Sequence, residues 1–358
     1  MAIKRQFHKV IQYVLILFDT LKDPSEEMIK ILFFVLWLVN SHDSHKVHAI
    51  HIDDMEIERQ LQVINKPFVK SIQTDFGYIV DCVDIYKQPA FDHPLLKDHK
   101  LQRKPSYRDS FEKISMKDSS NELILGFRKE KCPKGTVPIR RTAKDELIQG
   151  KLSFYNQSMV QDVPGVHVAP LIYGGNTATY FYSAWTSDNF KKTGCYNLQC
   201  SGFVQINQYN FIGSRVPNVS IYGGTAVESV FSISLDRKTQ NWWLNILGHD
   251  IGYYPGKLFS NLTSAEKVGW GGRTVTPPGN YSPQMGSEYF PDNNFVHACY
   301  FRLISIQDQE RTDFGPTKQM TNAFVDNSDC FNAEHYGDEG GYGGNSLQFG
   351  GPGGNCGN

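Results

Sequence analysis

The chain has 358 residues, a formal net charge of −1, 20% charged residues and 13% aromatic residues. Its length allows two domains with a hydrophobic core, and its nearly balanced charge excludes the strongly basic surface of a nucleic-acid-binding protein, so we expect no nucleic-acid partner. The low charge and the many tyrosine, phenylalanine and glycine residues favour an extracellular protein built from β-strands.

The N-terminus carries an apolar run that is typical of an export signal. Ile31–Val39 is too short to span a bilayer unaided, but it has the length of a signal-peptide core. Val47 and Ala49 supply the small residues expected just before a cleavage site. We therefore predict a signal-peptide region over residues 1–49, with Met28 as an alternative start.

A run of histidines follows at a spacing of three residues, at His42, His45, His48 and His51. Such spacing suits the ligands of a transition metal. Three of the four histidines precede the predicted cleavage site, however, and the cysteines show no CxxC or CxxH pairing that would predict a zinc site. We therefore expect no metal and no cofactor.

The first regular elements are expected soon after this region. Residues 53–64 predict an amphipathic helix, because their isoleucine and leucine side chains recur at spacings of four and three. Val69–Ile72 and Tyr78–Ile85, separated by the turn at Thr74–Gly77, predict a β-hairpin. The charged, serine-rich residues 97–120 are expected to form a loop.

From residue 121 onwards the pattern is typical of an all-β domain. Short apolar or alternating runs are separated by clusters of glycine, proline and asparagine, with no sustained helical period. The predicted strands are Ala178–Trp185, Gly202–Ile206, Val230–Leu235, Trp242–Leu247 and Cys299–Ile304. Many short strands at such intervals indicate a sandwich or a barrel.

Several motifs, taken in their order along the chain, resemble the plant neprosin family. Gln88–Lys97 (QPAFDHPLLK) and Gly135–Arg141 (GTVPIRR) are similar to the activation domain of that family. Motifs of the domain that follows are similar to Gly194–Gln205, Asn241–Leu244, Gly252–Pro255, Trp270–Gly272, Gln284–Ser287 and Gly350–Gly353. The likeness covers residues 55–358, and the ordered set is far more specific than any single motif.

The resemblance implies a secreted proprotein with two domains. A small α+β activation domain would occupy residues 50–142, and a mainly β peptidase domain of two antiparallel sheets packed face to face would occupy residues 145–358. The implied activity is that of a glutamic endopeptidase cleaving after proline, with two glutamates facing each other across a cleft. Two such close carboxylates share one proton, so one can activate water while the other protonates the leaving group.

Neither family glutamate is found at its matching position. One glutamate of the family follows Trp-Gly-Gly, but Arg273 follows Trp270–Gly272 here. The other lies in a strand that ends in a Glu-x-Gly-Trp motif, shortly before Tyr-Gly-Asp. Here Val166–Ala169 runs directly into Pro170–Gly175, and we expect that strand to be missing. Because arginine cannot act as a base at ordinary pH, we assign no catalytic residue.

Two glutamates remain as weaker candidates. Glu228 and Glu288 lie nearest to the motifs, but a glutamate outside a motif is more often a surface carboxylate. The resemblance also implies the residues that line the cleft, namely Trp270, Gly271, Gly272, Gln284, Met285 and Trp242.

The family-like spacings and the predicted export imply three disulfide bonds and four glycosylation sites. The expected pairs are Cys82–Cys132, Cys195–Cys200 and Cys330–Cys356. Cys299 is then the free thiol, and the bond to Cys356 fixes the glycine-rich tail. The N-x-S/T sequons are at Asn156, Asn218, Asn261 and Asn280.

We therefore expect a secreted neprosin-family protein with impaired peptidase activity, whose activation domain packs over the cleft. Two alternatives stay open. One is an active prolyl endopeptidase whose gene model lacks a strand between Ala169 and Pro170. The other is a β-sandwich that binds a proline-rich peptide or a cell-wall polysaccharide through the remaining aromatic side chains. A vacuolar location, or anchoring by the N-terminal apolar segment, is the alternative to secretion.

Overall fold

The computed structural model describes residues 54–107, 130–148, 163–170, 172–188, 190–259, 262–276 and 279–356. The predicted signal peptide, the histidine run, Asn156 and Asn261 lie outside the described residues, whereas Asn218 and Asn280 are exposed. No helix among the described residues is long and apolar enough to cross a membrane. We call residues 54–148 the N-terminal region and residues 163–356 the C-terminal region.

The N-terminal region consists of one helix and one three-stranded antiparallel sheet. Helix α1, Asp54–Ile64, has acidic residues in its first turn, where they complement the helix dipole, and it buries Ile57 and Ile64. The sheet has the order β1-β2-β3, with β1 at Phe68–Gln73, β2 at Ile79–Asp84 and β3 at Thr136–Arg140. The predicted helix and hairpin are therefore confirmed. Two short 3₁₀ helices, Pro89–Asp92 and Pro94–Leu96, follow β2.

The C-terminal region is built from antiparallel strands, which confirms the mainly β prediction. The strands are β4 Val163–Val168, β5 Thr179–Trp185, β6 Cys195–Tyr196, β7 Val204–Gln205, β8 Phe231–Asp236, β9 Asn241–Ile246, β10 His249–Tyr254, β11 Cys299–Phe301, β12 Ile306–Gln307, β13 Asp313–Phe314, β14 Asn332–Asp338 and β15 Asn345–Gly350. Their order is β4-β5-β6, β7-β10-β9-β8, β11-β15-β14 and β12-β13. Two 3₁₀ helices, Gly256–Leu258 and Lys318–Met320, lie between strands. The C-terminal region thus contains several short sheets, because turns and bulges interrupt the strands.

One hydrophobic core is shared by both regions. The N-terminal region contributes buried side chains from β2, β3 and the 3₁₀ segment, and the C-terminal region contributes buried side chains from β5, β9 and β10. The central members are Val83, Ile85, Leu96, Val137, Ile139, Phe181, Trp185, Leu244, Ile251 and Tyr254. Burial of apolar area is the main stabilising contribution to folding, so each region stabilises the other.

All three predicted disulfide bonds are present, at Cys82–Cys132, Cys195–Cys200 and Cys330–Cys356. The first lies within the N-terminal region, and the last fixes the C-terminal tail beside β14. Cys299, in β11, is the free cysteine, and burial raises the pKa of its thiol. The glycine-rich tail is ordered as β15 and the residues after it, as the pairing to Cys356 predicted.

Candidate functional site

Strand β4, which the sequence did not predict, ends just before the junction of Ala169 and Pro170. It pairs with β5 along its whole length, from Val163 opposite Ala184 to Val168 opposite Thr179. The connection is a closed turn in which the Gly175 amide donates to the Pro170 carbonyl at 2.7 Å. Pro164 and Gly165 weaken the sequence signal, because both residue types are unfavourable inside a strand.

A cluster of tyrosines surrounds His167 on one face of this sheet. The Tyr196 hydroxyl lies 2.7 Å from Nδ1 and 2.5 Å from Nε2 of His167, and the Tyr173 hydroxyl lies 3.1 Å from Nε2. The Tyr182 ring lies 4.4 Å from the imidazole, centroid to centroid. Burial lowers the pKa of His167 to about 3 and raises the pKa values of Tyr173 and Tyr182. At neutral pH the site therefore offers an uncharged imidazole among protonated phenols.

Arg273 belongs to the same neighbourhood. Its charge acts on Tyr182, where it partly offsets the rise in pKa that burial causes. Tyr182 in turn covers Gly165: a Cβ atom at that glycine would lie 3.1 Å from the tyrosine ring. Residues 165 and 167 share one face of β4, since side chains alternate along a strand. Tyr182 thus links this face of β4 to the segment that carries Arg273.

Two of the motifs predicted to line the cleft, at Gly272 and Met285, lie together. A Cβ at Gly272 would clash with the Met285 sulfur and the Phe349 ring, and the Met285 amide donates to the Gly351 carbonyl at 3.0 Å. Trp270 is half-buried there, whereas Gly271 and Gln284 are exposed. Trp242 lies elsewhere, because it is 7% exposed within the shared core.

Glu228 and Glu288 occupy unlike environments. Glu228 receives hydrogen bonds from Arg302 at 2.5 and 2.7 Å, from Tyr300 at 2.5 Å and from Tyr342 at 2.7 Å. Burial alone would raise the pKa of Glu228, but these bonds outweigh it and lower the pKa to about 2. Such a carboxylate stays ionised and cannot donate a proton near pH 4. Glu288 is exposed, in a turn with positive φ.

Sequence reasoning missed the polar contacts that hold residues 99–107 against the C-terminal region. Gln102 donates from its side-chain amide to Asp236 at 2.6 Å, and its carbonyl oxygen accepts hydrogen bonds from Asn241 and Trp243. Ser106 donates to Asp236 through both its amide and its hydroxyl. The sequence gives no local signal for these contacts, since they join residues more than a hundred positions apart.

Two segments of the chain match known protein families. Residues 149–352 match the neprosin family, and residues 71–166 match the neprosin activation peptide. The first match spans β4 to β15 and includes His167, Arg273 and Met285. The second begins within β1 and includes β2, β3 and residues 99–107.

Proposed function

The chain belongs to the neprosin family, and from this premise we propose that it is a secreted proprotein whose peptidase site is catalytically impaired. The family matches give an activation peptide followed by a neprosin domain. Three disulfide bonds are compatible with an exported protein, since such bonds persist in oxidising compartments.

The observation that carries the proposal is the identity of the residues at the two positions of the family glutamates. When the Glu-x-Gly-Trp motif is aligned on Gly165, Val163 takes the position of the glutamate. Arg273 takes the position of the other glutamate after Trp-Gly-Gly. In the register of β4, Val163 pairs with Ala184 of β5 and Gly165 pairs with Tyr182, and the charge of Arg273 acts on Tyr182. Both replaced positions are therefore connected to strand β5.

A valine and an arginine cannot carry out the family chemistry. That chemistry needs one carboxylate to accept a proton from water and a second carboxyl to supply one. Val163 has no ionisable group, and the fixed charge of Arg273 favours the ionised form of any nearby carboxyl, which denies it the proton that it must donate. Glu228, held ionised by Arg302, is an unsuitable substitute.

The closed turn between β4 and β5 also bears on the alternative of an active enzyme whose gene model lacks a strand. An exon lost between Ala169 and Pro170 would be expected to leave a break in the pairing at this point. Instead, β4 pairs with β5 up to Val168, and the turn is closed by backbone hydrogen bonds from Ile172 to Ala169 and from Gly175 to Pro170. This continuity favours a real substitution over a missing segment.

Reintroducing the glutamates tests the proposal. We expect Arg273→Glu alone and Val163→Glu alone to leave hydrolysis of a fluorogenic prolyl peptide at background between about pH 2.5 and 5, the range of a proton-sharing pair. Only the double variant, Val163→Glu with Arg273→Glu, is expected to hydrolyse the peptide above background. Rescue by Arg273→Glu alone would contradict the proposed role of position 163.

A second candidate function, ligand binding, is favoured by an exposed aromatic stack. The rings of Tyr222 and Tyr289 stack at 4.0 Å, and the His297 ring stacks with Tyr222 at 4.8 Å. Tyr222 is 47% exposed and Tyr289 is 43% exposed. Flat aromatic faces of this kind suit a sugar ring or a proline ring, so a proline-rich peptide or a cell-wall polysaccharide is the proposed ligand class.

Titration calorimetry with a proline-rich peptide and with a soluble cell-wall polysaccharide separates this candidate from the first. Tyr222→Ala is expected to weaken binding at least about tenfold, which corresponds to about 1.4 kcal/mol. Phe324→Ala is the matched control, because Phe324 is 81% exposed and lies outside the stack. Equal affinity in the two variants, or no binding by the natural chain, would remove this candidate.

A further inference from the structure

Arg140 reaches from the N-terminal region into a set of tyrosine rings that both regions supply. Its guanidinium carbon lies 4.6 Å from the ring centre of Tyr78, 4.6 Å from that of Tyr173 and 5.2 Å from that of Tyr180. Tyr173 and Tyr180 stack on each other at 3.7 Å and are almost fully buried. We call Tyr78, Tyr173 and Tyr180 the tyrosine cage.

Two of the three guanidinium nitrogens of Arg140 donate hydrogen bonds, whereas its buried Nε has no hydrogen-bond partner among the described residues. Nη2 donates to Glu146 Oε1 at 2.5 Å, and Nη1 donates to the Gly213 carbonyl at 3.4 Å. Both charged side chains are nearly buried, with 11% of Arg140 and 12% of Glu146 exposed. A desolvated cation over aromatic faces gains more than an exposed one, and a nearby carboxylate neutralises its charge. Another cation that acts on Tyr78, Arg215, lies over the Phe76 ring at 4.7 Å.

The neighbouring arginine shows how selective this arrangement is. Arg141 donates to Asp81 at 2.6 and 2.7 Å and to Ser71 at 2.9 Å, all within the N-terminal sheet. Its guanidinium lies over Phe68, also in that sheet. Two adjacent arginines thus have different roles: one stays within its own sheet, and the other crosses to the C-terminal region.

We propose that the tyrosine cage is a guanidinium-binding site, occupied in this proprotein by Arg140, and that this occupancy anchors the N-terminal region to the C-terminal region. A guanidinium is planar, stacks on aromatic faces and donates in two directions at once, which matches the rings, Glu146 and the Gly213 carbonyl. The ammonium group of lysine is not planar and cannot stack on an aromatic ring in this way.

Small guanidinium compounds can test the site once the Arg140 side chain is removed. The cavity beside it measures only about 20 Å³, which is room for about one water molecule, and is lined by Arg140, Glu146, Tyr173, Asn197 and Gly213, among other residues. Removing the Arg140 side chain enlarges this space at the place where the guanidinium lay. The variant chain should therefore accept free methylguanidinium in the cage.

The experiment compares thermal unfolding of Arg140→Ala, Arg140→Lys and Arg141→Ala in the full chain. We expect Arg140→Ala to lower the midpoint by about 5 °C or more, on a scale where 1 kcal/mol shifts a domain of this class by about 2–4 °C. Methylguanidinium should restore part of that loss with a saturable dependence, and methylammonium should not. Arg140→Lys should also unfold earlier than the natural chain, and neither salt should raise the midpoint of Arg141→Ala.

An unchanged midpoint in Arg140→Ala, or equal effects of the two salts on it, would overturn the proposal. If Arg140→Ala does not fold, Arg140→Lys and Arg141→Lys decide the matter, and equal midpoints in that pair overturn it. The inference does not rest on the proposed loss of peptidase activity. Its readout is stability, so its failure would leave the argument about Val163 and Arg273 untouched.

Discussion

His167 lies among tyrosine side chains, and burial is the effect that shifts its pKa. The pKa of His167 falls from 6.5 to about 3 in the folded chain, so the unfolded chain binds a proton more readily between these values. Stability is therefore unaffected above about pH 7 and is lost as the pH falls from 6.5 towards 3. Acidification should weaken the tyrosine cluster beside the candidate site.

Replacing this histidine should remove that pH dependence. Between pH 8 and pH 4, the free energy of unfolding should fall by about 3 kcal/mol less in His167→Gln than in the natural chain. This figure follows from a shift of several pKa units at about 1.4 kcal/mol each. Urea unfolding at both pH values measures it, and other titrating groups cancel in the difference between the two chains. An identical loss in both chains would show that His167 is accessible to protons when folded.

A single glycine fixes the approach of β10 to β7. A Cβ at Gly252 would lie 2.1 Å from the Val204 carbonyl oxygen, a backbone atom that can move only with its strand. We expect Gly252→Ala to lower the free energy of unfolding by about 1–3 kcal/mol or more, as overpacking does. Gly269→Ala is the matched control, because a Cβ there meets nothing within 4 Å. Equal stability of the two variants in urea unfolding would contradict this packing.

At the scale of elements, the end of β8 holds the segment at residues 99–107. Burial alone would raise the pKa of Asp236, but the bonds from Ser106 and Gln102 outweigh it and lower the pKa to about 2. Because the folded pKa is depressed, the contribution of Asp236 to stability is present above about pH 4 and is lost as the pH falls through about 2. We expect Asp236→Asn to cost about 2–3 kcal/mol at pH 7.

Hydrogen exchange locates that effect. In Asp236→Asn the amides of residues 101–107 should exchange faster at pH 7, whereas Asp326→Asn, at an exposed aspartate, should leave them unchanged. Unchanged protection in Asp236→Asn would mean that the remaining bonds of Gln102 to Asn241 and Trp243 suffice to hold the segment.

The elements that sequence predicted are those with strong local signals. The periodicity of α1, the alternation of β8 and the family-like spacing of the cysteines lie within short stretches or fixed motifs. Strand β4 was missed because Pro164 and Gly165 mask a strand that only pairing with β5 reveals. The contacts of Gln102 and Arg140 are tertiary, and no local pattern predicts them. Likewise, no local pattern shows that Arg302 pairs with Glu228 or that Glu288 lies in a turn with positive φ.

At the scale of the whole molecule, the N-terminal region is part of the fold. Ala90 packs with Val204, Trp243 and Tyr253 in a second buried cluster, in addition to the shared core. Removal of the N-terminal region would expose these aromatic side chains to water, at about 25 cal/mol per Å² of apolar area.

A fragment of residues 149–358 should consequently be less stable than residues 50–358. We expect it to bind more of a hydrophobic dye and to unfold at a lower temperature by near-ultraviolet circular dichroism than residues 50–358. Equal unfolding midpoints in the two chains would contradict the contribution of the shared core to stability.

The central claim is the loss of the peptidase chemistry, and hydrolysis by the natural chain tests it most directly. The purified protein is acidified to release any activation peptide and is then assayed with a fluorogenic prolyl peptide from about pH 2.5 to 5, with serine, cysteine and metalloprotease inhibitors present. We predict no turnover above background, because the proposal places Val163 and Arg273 at the positions of the two family carboxyls. Inhibitor-resistant turnover that rises towards acidic pH would contradict the account and would return attention to Glu228 and Glu288.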